Sequence, residues 1–422
     1  MAPSEGPSDA DAVTRNTPPD APGSPQPDGP DWSSRAALAA ESVIRNFGRR
    51  FLFLPATHIA AVAHSPRDSP TAQGPHAASL RKIAASRSLR RLRSVPAFNN
   101  LVGPWHFWWQ AQYLDCLVDA RRRQLAERVP APDGPNFAGL ASRLLRTVRL
   151  RNGFRYTNDF YDDMAWLGLA AVRLGTMAPA ATGLRRRTDR IRDILTPEFE
   201  AAADDVLGGG VYWSRQRDFK NTPATGPVAL FFARTGQRDR AQELVDWLGS
   251  RLLDDERGLY LDGLRIRGSE VILEPGLYTY NQGPVLGALL ELGGAANVAR
   301  AADLVAAVER RLCPTPESAA LRCDGRGDGG LFTGILVRYL ALAARDAALP
   351  ASARDSARRM VTSTAEALWA GRSERPGQQA GWLVFPVHPT VPAGVAYPAG
   401  AAVELSTQLQ AWMTLEAAAT LT

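Results

Sequence analysis

The chain has 422 residues, 45% hydrophobic and 22% charged, with a formal net charge of +6. That length and apolar content exclude disorder throughout and suffice for one large globular domain or two medium ones. No uninterrupted apolar run of about 18 residues occurs, so no membrane span is expected; the cysteines Cys116, Cys313 and Cys323 form no C-x-x-C pair, so neither a zinc site nor a disulfide framework is indicated.

Met1 to Asp31 is Pro, Asp, Gly and Ser with almost no large apolar side chain, a composition that cannot offset its ordering entropy. A disordered tail over 1–31 and a single domain over 32–422 are expected. The tail has neither a basic start nor an apolar stretch, so the expected location is cytoplasmic, with an exported or cell-associated protein as the alternative. In that alternative Cys313 and Cys323, which flank one short loop, become able to pair. The run "RKIAASRSLRRLRS", Arg81 to Ser94, carries six basic residues and no acid. No nucleic-acid motif accompanies it, so it reads as a solvated basic face rather than a nucleic-acid site, or as a rim that attracts an anionic glycolipid.

Beyond the tail the chain alternates between two kinds of helix. One kind carries a polar stripe: Ser34 to Phe47, Phe137 to Val148, Leu184 to Ala203, Arg238 to Leu252, Asn297 to Leu312 and Ser352 to Trp369. The other is apolar and rich in small residues: Trp105 to Ala120, Phe160 to Leu174, Pro223 to Arg234, Tyr280 to Leu292, Gly330 to Ala344 and Ala401 to Ala418. Two successive hairpins match: "TGPVALFFARTG" (Thr225 to Gly236) resembles "QGPVLGALLELG" (Gln282 to Gly293), and "RAQELVDWLGSRL" resembles "RAADLVAAVERRL". In each, proline suits the first turn and glycine the position past the last. Six inner and six outer helices in alternation predict an all-α (α/α)6 toroid, since each hairpin buries its apolar face only against its neighbours. An open solenoid is the alternative; Gly168, Gly287 and Gly334, costly inside helices, favour close packing in a ring.

The connections leading into the inner helices, such as "LGGGVYWSRQRDFKN" and "RGLYLDGLRIRGSEVILEPG", gather at one end of such a ring and place a site at its mouth. The stretches "PWHFWWQ", "YTNDFYDD", "RDFKNTPATG", "YTYNQG" and "DGRGDGGLF" then supply carboxylates, amides and aromatic rings, the inventory for holding a sugar. Within them Trp108, Gln110, Asn158, Lys220, Asn221, Tyr280, Asn281, Gln282, Asp328 and Phe332 are the expected sugar contacts. Plainer uses exist for several: Trp105, Trp108 and Trp109 as core or rim packing, Asn281 and Gln282 as helix caps, Asp328 as a turn acid. Asp162 and Asp163, adjacent in "NDFYDDMAWLGLA", either cap a helix and face its dipole or perform chemistry. No phosphate loop, Ser/His/Asp order or H-E-x-x-H motif appears, so neither a metal nor an organic cofactor is expected.

The segments "YTNDFYDDMAWLGLA", "GGVYWSRQRDFKNTPATGPVALFFARTG", "YTYNQGPVLGALLEL" and "GDGGLFTGILVRYLA", with a weaker likeness at "WHFWWQAQYLDCLVDA", resemble in order the signature blocks of glycoside hydrolase family 76, the endo-α-1,6-mannanases. The resemblance covers most of the chain from about residue 100. Leu167 stands where the family usually carries a second tryptophan and Thr333 where lysine is common, departures that bear on sugar affinity. The resemblance implies an (α/α)6 fold and retaining hydrolysis of α-1,6-mannosidic bonds in free or lipid-anchored mannan, with Asp162 as nucleophile and Asp163 as general acid/base. A monomer is expected. Two other readings compete: an inactive sugar-binding or scaffold protein, and a metal-dependent terpene cyclase-like enzyme, to whose aspartate-rich motif "DFYDD" bears a faint likeness.

Overall fold

In the computed structural model, which describes residues 31–64, 104–128, 135–315, 318–375 and 382–422, the alternation becomes two concentric layers of helices. In chain order they are α1 (Trp32–Phe47), α2 (Phe107–Ala126), α3 (Phe137–Arg151), α4 (Tyr161–Met177), α5 (Gly183–Ala201), α6 (Thr222–Arg234), α7 (Arg238–Arg251), α8 (Thr279–Leu292), α9 (Gly294–Leu312), α10 (Gly329–Ala343), α11 (Ala351–Ala370), the single turn α12 (Ala393–Ala396) and α13 (Leu405–Ala419). Helix α2 packs on α4, α4 on α6, α6 on α8, α8 on α10, α10 on α13 and α13 back on α2. That last contact closes the ring, making the fold an (α/α)6 barrel and setting the open solenoid aside. The expected tail, apart from Asp31, and the basic run Arg81 to Ser94 lie outside the described residues.

The two layers follow from their side chains. In α3, Phe137, Ala141, Leu144, Leu145 and Val148 are buried at steps of three and four, one stripe facing the ring while arginines face water. In α13 every residue from Leu405 to Ala418 is buried, because neighbours surround an inner helix on all sides. Gly334 lets α10 and α13 approach: a Cβ there would lie 2.9 Å from the Gln410 Cα. Local caps fix the entries of other helices, with Asn136 Oδ1 accepting the Gly139 N–H at 2.7 Å and Thr182 Oγ1 accepting the Arg185 N–H at 3.2 Å. Pro227 and Pro284 sit inside α6 and α8 rather than in their first turns, while both helices begin within one residue of the expected Pro223 and Tyr280. Helix α13 likewise begins at Leu405 and not Ala401, because Val403–Glu404 pairs as a strand with Ala63–His64.

Connections from outer to inner helices are long and carry the short β-structure. The largest piece is a three-stranded antiparallel sheet of Phe219–Asn221, Gly263–Arg267 and Glu270–Glu274. Connections at the other end are tight turns such as 235–237. At that far end Arg123 holds both ends of the barrel, bonding Glu416 of α13 at 2.9 Å and Ser33 of α1 at 3.5 Å. Inside the ring, Asp115 and Asp119 of α2 meet Arg173 of α4 and Arg338 of α10; Arg338 pairs with Asp115 at 3.0 Å and Asp119 at 2.9 Å, and Arg173 pairs with both. Burial opposes charge on Asp119, but the two guanidinium groups outweigh it and hold its carboxyl below the ordinary range. All three cysteines are free thiols, and Cys313 faces the Ala319 carbonyl while Cys323 accepts from Gln410.

Candidate active site

Helix α4 starts where three backbone contacts force it to start. The Tyr161 N–H donates to the Trp213 carbonyl at 2.8 Å, Phe160 bridges to Ser214, and Asn158 Oδ1 accepts the Phe160 N–H at 2.9 Å. Asp162 and Asp163 therefore fall in the first helical turn at the mouth, where the N-terminal dipole favours carboxylates. Neither caps the helix. Asp162 Oδ1 accepts the N–H of Asp163 at 2.9 Å and its Oδ2 accepts the Trp213 indole N–H at 3.0 Å, while Asp163 Oδ2 accepts from Asn158 Nδ2 at 2.6 Å.

Burial pushes the Asp162 carboxyl up to about 7 against the pull of the N–H groups around it, the Asp163 backbone and the Trp213 indole foremost, and Asp328 adds a smaller upward push. Asp163 is driven well above the ordinary carboxylate range, first by burial and then by the charge of Asp162, with the Asn158 amide opposing. The pair therefore ionises in sequence, Asp162 first. Once Asp162 has ionised, the pair holds one carboxylate and one carboxylic acid, the arrangement a glycosidase needs.

Across the mouth stand the starts of α2, α8 and α10. Asp328, just ahead of α10, accepts the indole N–H of Trp108 at 3.1 Å and of Trp109 at 2.7 Å. Phe332 stacks flat on Tyr280 with ring centroids 3.8 Å apart, and Tyr278 and Trp108 flank it at 5.6 and 6.2 Å. Asp162, Asp262 and Asp328 all act on the Tyr280 hydroxyl, which burial foremost and these acids after it push up, so the three acids and this ring share one space. Asn281 is 1% exposed, and among the described residues neither polar atom of its amide has a partner in hydrogen-bond geometry. It lies against Asp262, whose carboxyl burial pushes up to about 6 while the Asn281 amide pulls it back. A buried amide beside a protonatable acid is matched to ligand hydroxyls.

The model for "Glycosyl hydrolase family 76" matches residues 93–387. The chain belongs to glycosyl hydrolase family 76. Its fold superposes on the α-1,6-mannanase of Salegentibacter sp. HEL1_6 with a TM-score of 0.70 at 26% identity, covering 93% of this chain and 100% of that one. An inactive variant of that enzyme, with two consecutive aspartates replaced by asparagine, is solved in complex with α-1,6-mannotriose; it superposes with TM-score 0.70 at 25% identity over the same 93% and 100%. The Lin0763 protein of Listeria innocua shares the fold with TM-score 0.68 at 23% identity over 92% and 97%. No curated protein sequence matches the chain. As a family 76 member it is a glycoside hydrolase, which sets aside the terpene cyclase-like reading.

Within this family 76 site the structure brings together Asp162, Asp163, Asn158, Trp108, Tyr280, Asn281, Asp328 and Phe332. Four other expected sugar contacts spend side-chain polar atoms on the fold itself. Lys220 is 0% exposed, and its ammonium donates to Asp204 Oδ1 and to the carbonyls of Asp204, Val206 and Gly209, leaving no N–H for a sugar. Gln110 uses its amide on the N–H and C=O of Ala60, both at 3.0 Å, and Gln282 does the same to Tyr260, both at 2.9 Å. Asn221 caps α6 by accepting the Ala224 N–H at 3.1 Å. Trp213 and Asp262 also line this mouth but were not among the expected contacts, and Trp109, for which packing was the plainer use, bonds Asp328 there. Each lies in a stretch already singled out as mouth-forming, but which side chain of a connection turns inward depends on strand pairing that composition does not reveal.

Proposed function

We propose that the protein is a retaining endo-α-1,6-mannanase in which Asp162 attacks the anomeric carbon and Asp163 protonates the departing glycosidic oxygen. The observation that carries this reading is the unequal environment of two adjacent carboxyls at the mouth of the ring. The attack forms a bond from an Asp162 oxygen to the anomeric carbon as the glycosidic bond breaks. Asp163, now ionised, then takes a proton from water, whose oxygen displaces Asp162 and restores the original configuration. Retention calls for carboxyl groups about 5–5.5 Å apart, a reach compatible with neighbours splayed by about 100° around a helix. Tyr280 stacked on Phe332 offers a flat apolar face to a pyranose, and Asn281 with Asp262 offers an amide and an acid to its hydroxyls. The complex of the Salegentibacter enzyme with α-1,6-mannotriose supports mannan as the substrate class; an α-1,6-mannan backbone, free or lipid-anchored, is the proposed partner.

The test is incubation with linear α-1,6-mannan and product analysis over time. A persistent ladder of short oligosaccharides with initial α-configuration at the new reducing end is expected. Polymer left intact by folded protein, or a β-anomeric first product, contradicts the proposal.

A further inference from the structure

We propose that Trp213 is the positioning residue that makes the two aspartates unequal, its indole N–H fixing Asp162 as the ionised partner and leaving the proton to Asp163. This rests on the acid-pair reading above. The two carboxyls are neighbours in one helical turn, share its dipole and face the same third acid, so sequence position alone does not assign their roles.

The donors around them do. Both oxygens of Asp162 face groups that only donate, the backbone N–H of Asp163 at 2.9 Å and the indole N–H at 3.0 Å. Each of these bonds is strongest to the ionised carboxyl, because a backbone N–H and an indole N–H donate and accept nothing. Asp163 differs: Asn158 donates to its Oδ2, and its Oδ1 faces no donor among the described residues, so that oxygen is free to carry a proton. The backbone donor is present whatever the side chains are, which leaves the indole as the removable difference. Trp213 is also held firmly. Its N–H donates to the Phe219 carbonyl at 2.7 Å, its carbonyl receives the Tyr161 N–H, and its ring lies between Phe160 at 4.8 Å and Phe219 at 6.3 Å. The titratable groups facing Asp162 are Asp163 on α4, Asp328 ahead of α10 and Tyr280 on α8. Arg215, from the connection that bears Trp213, turns instead to Glu198 at 2.7 Å.

The experiment is kcat/KM against pH on an α-1,6-mannan oligosaccharide for the parent and Trp213→Phe, which keeps a ring and loses the donor. A donor to a charged group shifts its titration by about one to two pH units. The acidic limb is therefore expected to move up by about that much, with the alkaline limb in place and the rate at the optimum lowered about tenfold or more. Limbs that stay at their parent positions, whatever the loss of rate, overturn the role and reduce Trp213 to packing. Should Trp213→Phe melt early, Trp213→Gln carries the test, since it discards the rings and retains an N–H donor; an acidic limb at the parent position supports the role and a displaced one overturns it. A parent that leaves α-1,6-mannan intact fails the mannanase reading itself, whereas an active parent with unmoved limbs fails only this inference.

Discussion

Asp162 and Asp163 hold their protons far above the range of free carboxyls, so they weaken the fold at the pH where they act. For an acid whose folded pKa is raised, the native state binds the proton more tightly than the unfolded chain. Stability is then highest below about pH 4 and falls as pH rises toward the native value. Asp163→Asn should accordingly raise the melting temperature at pH 7 by a few degrees, about 1–2 kcal/mol, with the gain vanishing near pH 4 in thermal scans. The same substitution, like Asp162→Asn, should lower hydrolysis by about a thousandfold or more. In the parent, kcat/KM should decline as pH drops through about 7, where Asp162 takes up a proton; a pH–rate profile flat from 5 to 8 contradicts that assignment.

Elements repeat a device that the sequence presented in the wrong guise. The fourth residue of α2, α6, α8 and α13 is Gln110, Thr225, Gln282 and Gln408, and each grips both the N–H and the C=O of one residue in the connection beside it: Ala60, Val211, Tyr260 and Phe385. Amides at the mouth of a sugar site look like ligand donors. Here two of them replace missing β-partners, which the local sequence conceals because the gripped residue lies 22 or 50 positions away. Gln110→Ala and Gln282→Ala should each cost about 2–4 kcal/mol by orphaning two buried backbone groups. Their KM for mannan should stay within about twofold of the parent, since folded protein keeps the binding surface. Asn281→Ala should do the reverse, raising KM with little change in melting temperature. The helices themselves were legible because their periods of burial are local; their ends were less so, as the start of α13 shows, because a strand pair with a distant segment sets it.

At the scale of the whole molecule, ring closure was predictable from six repeats of a helical pair that has no other way to bury its inner face. The buried quartet of Asp115, Asp119, Arg173 and Arg338 was not, since its members are scattered over α2, α4 and α10 and read individually as ordinary helix charges. It lies about 16 Å along α4 from the turn that bears Asp162 and Asp163. Removing one cation leaves two buried acids sharing the single guanidinium of Arg173, so Arg338→Met should destabilise the barrel by about 3–5 kcal/mol, measured by denaturant unfolding. Asp119 adds a sensitivity to acid: its carboxyl is held low in the fold, so its contribution is present above the unfolded carboxyl value and disappears as pH falls through the native one.

The Arg123 staple has a practical corollary. Because Ser33 and Glu416 meet on one guanidinium at the far end, the first and last helices finish side by side, away from the cleft. A short Gly/Ser tether from Thr422 to Trp32, with new termini opened in the tight turn at Gly236, should yield a rearranged chain that folds to the same barrel and keeps its entrance clear for long polymers or a solid support.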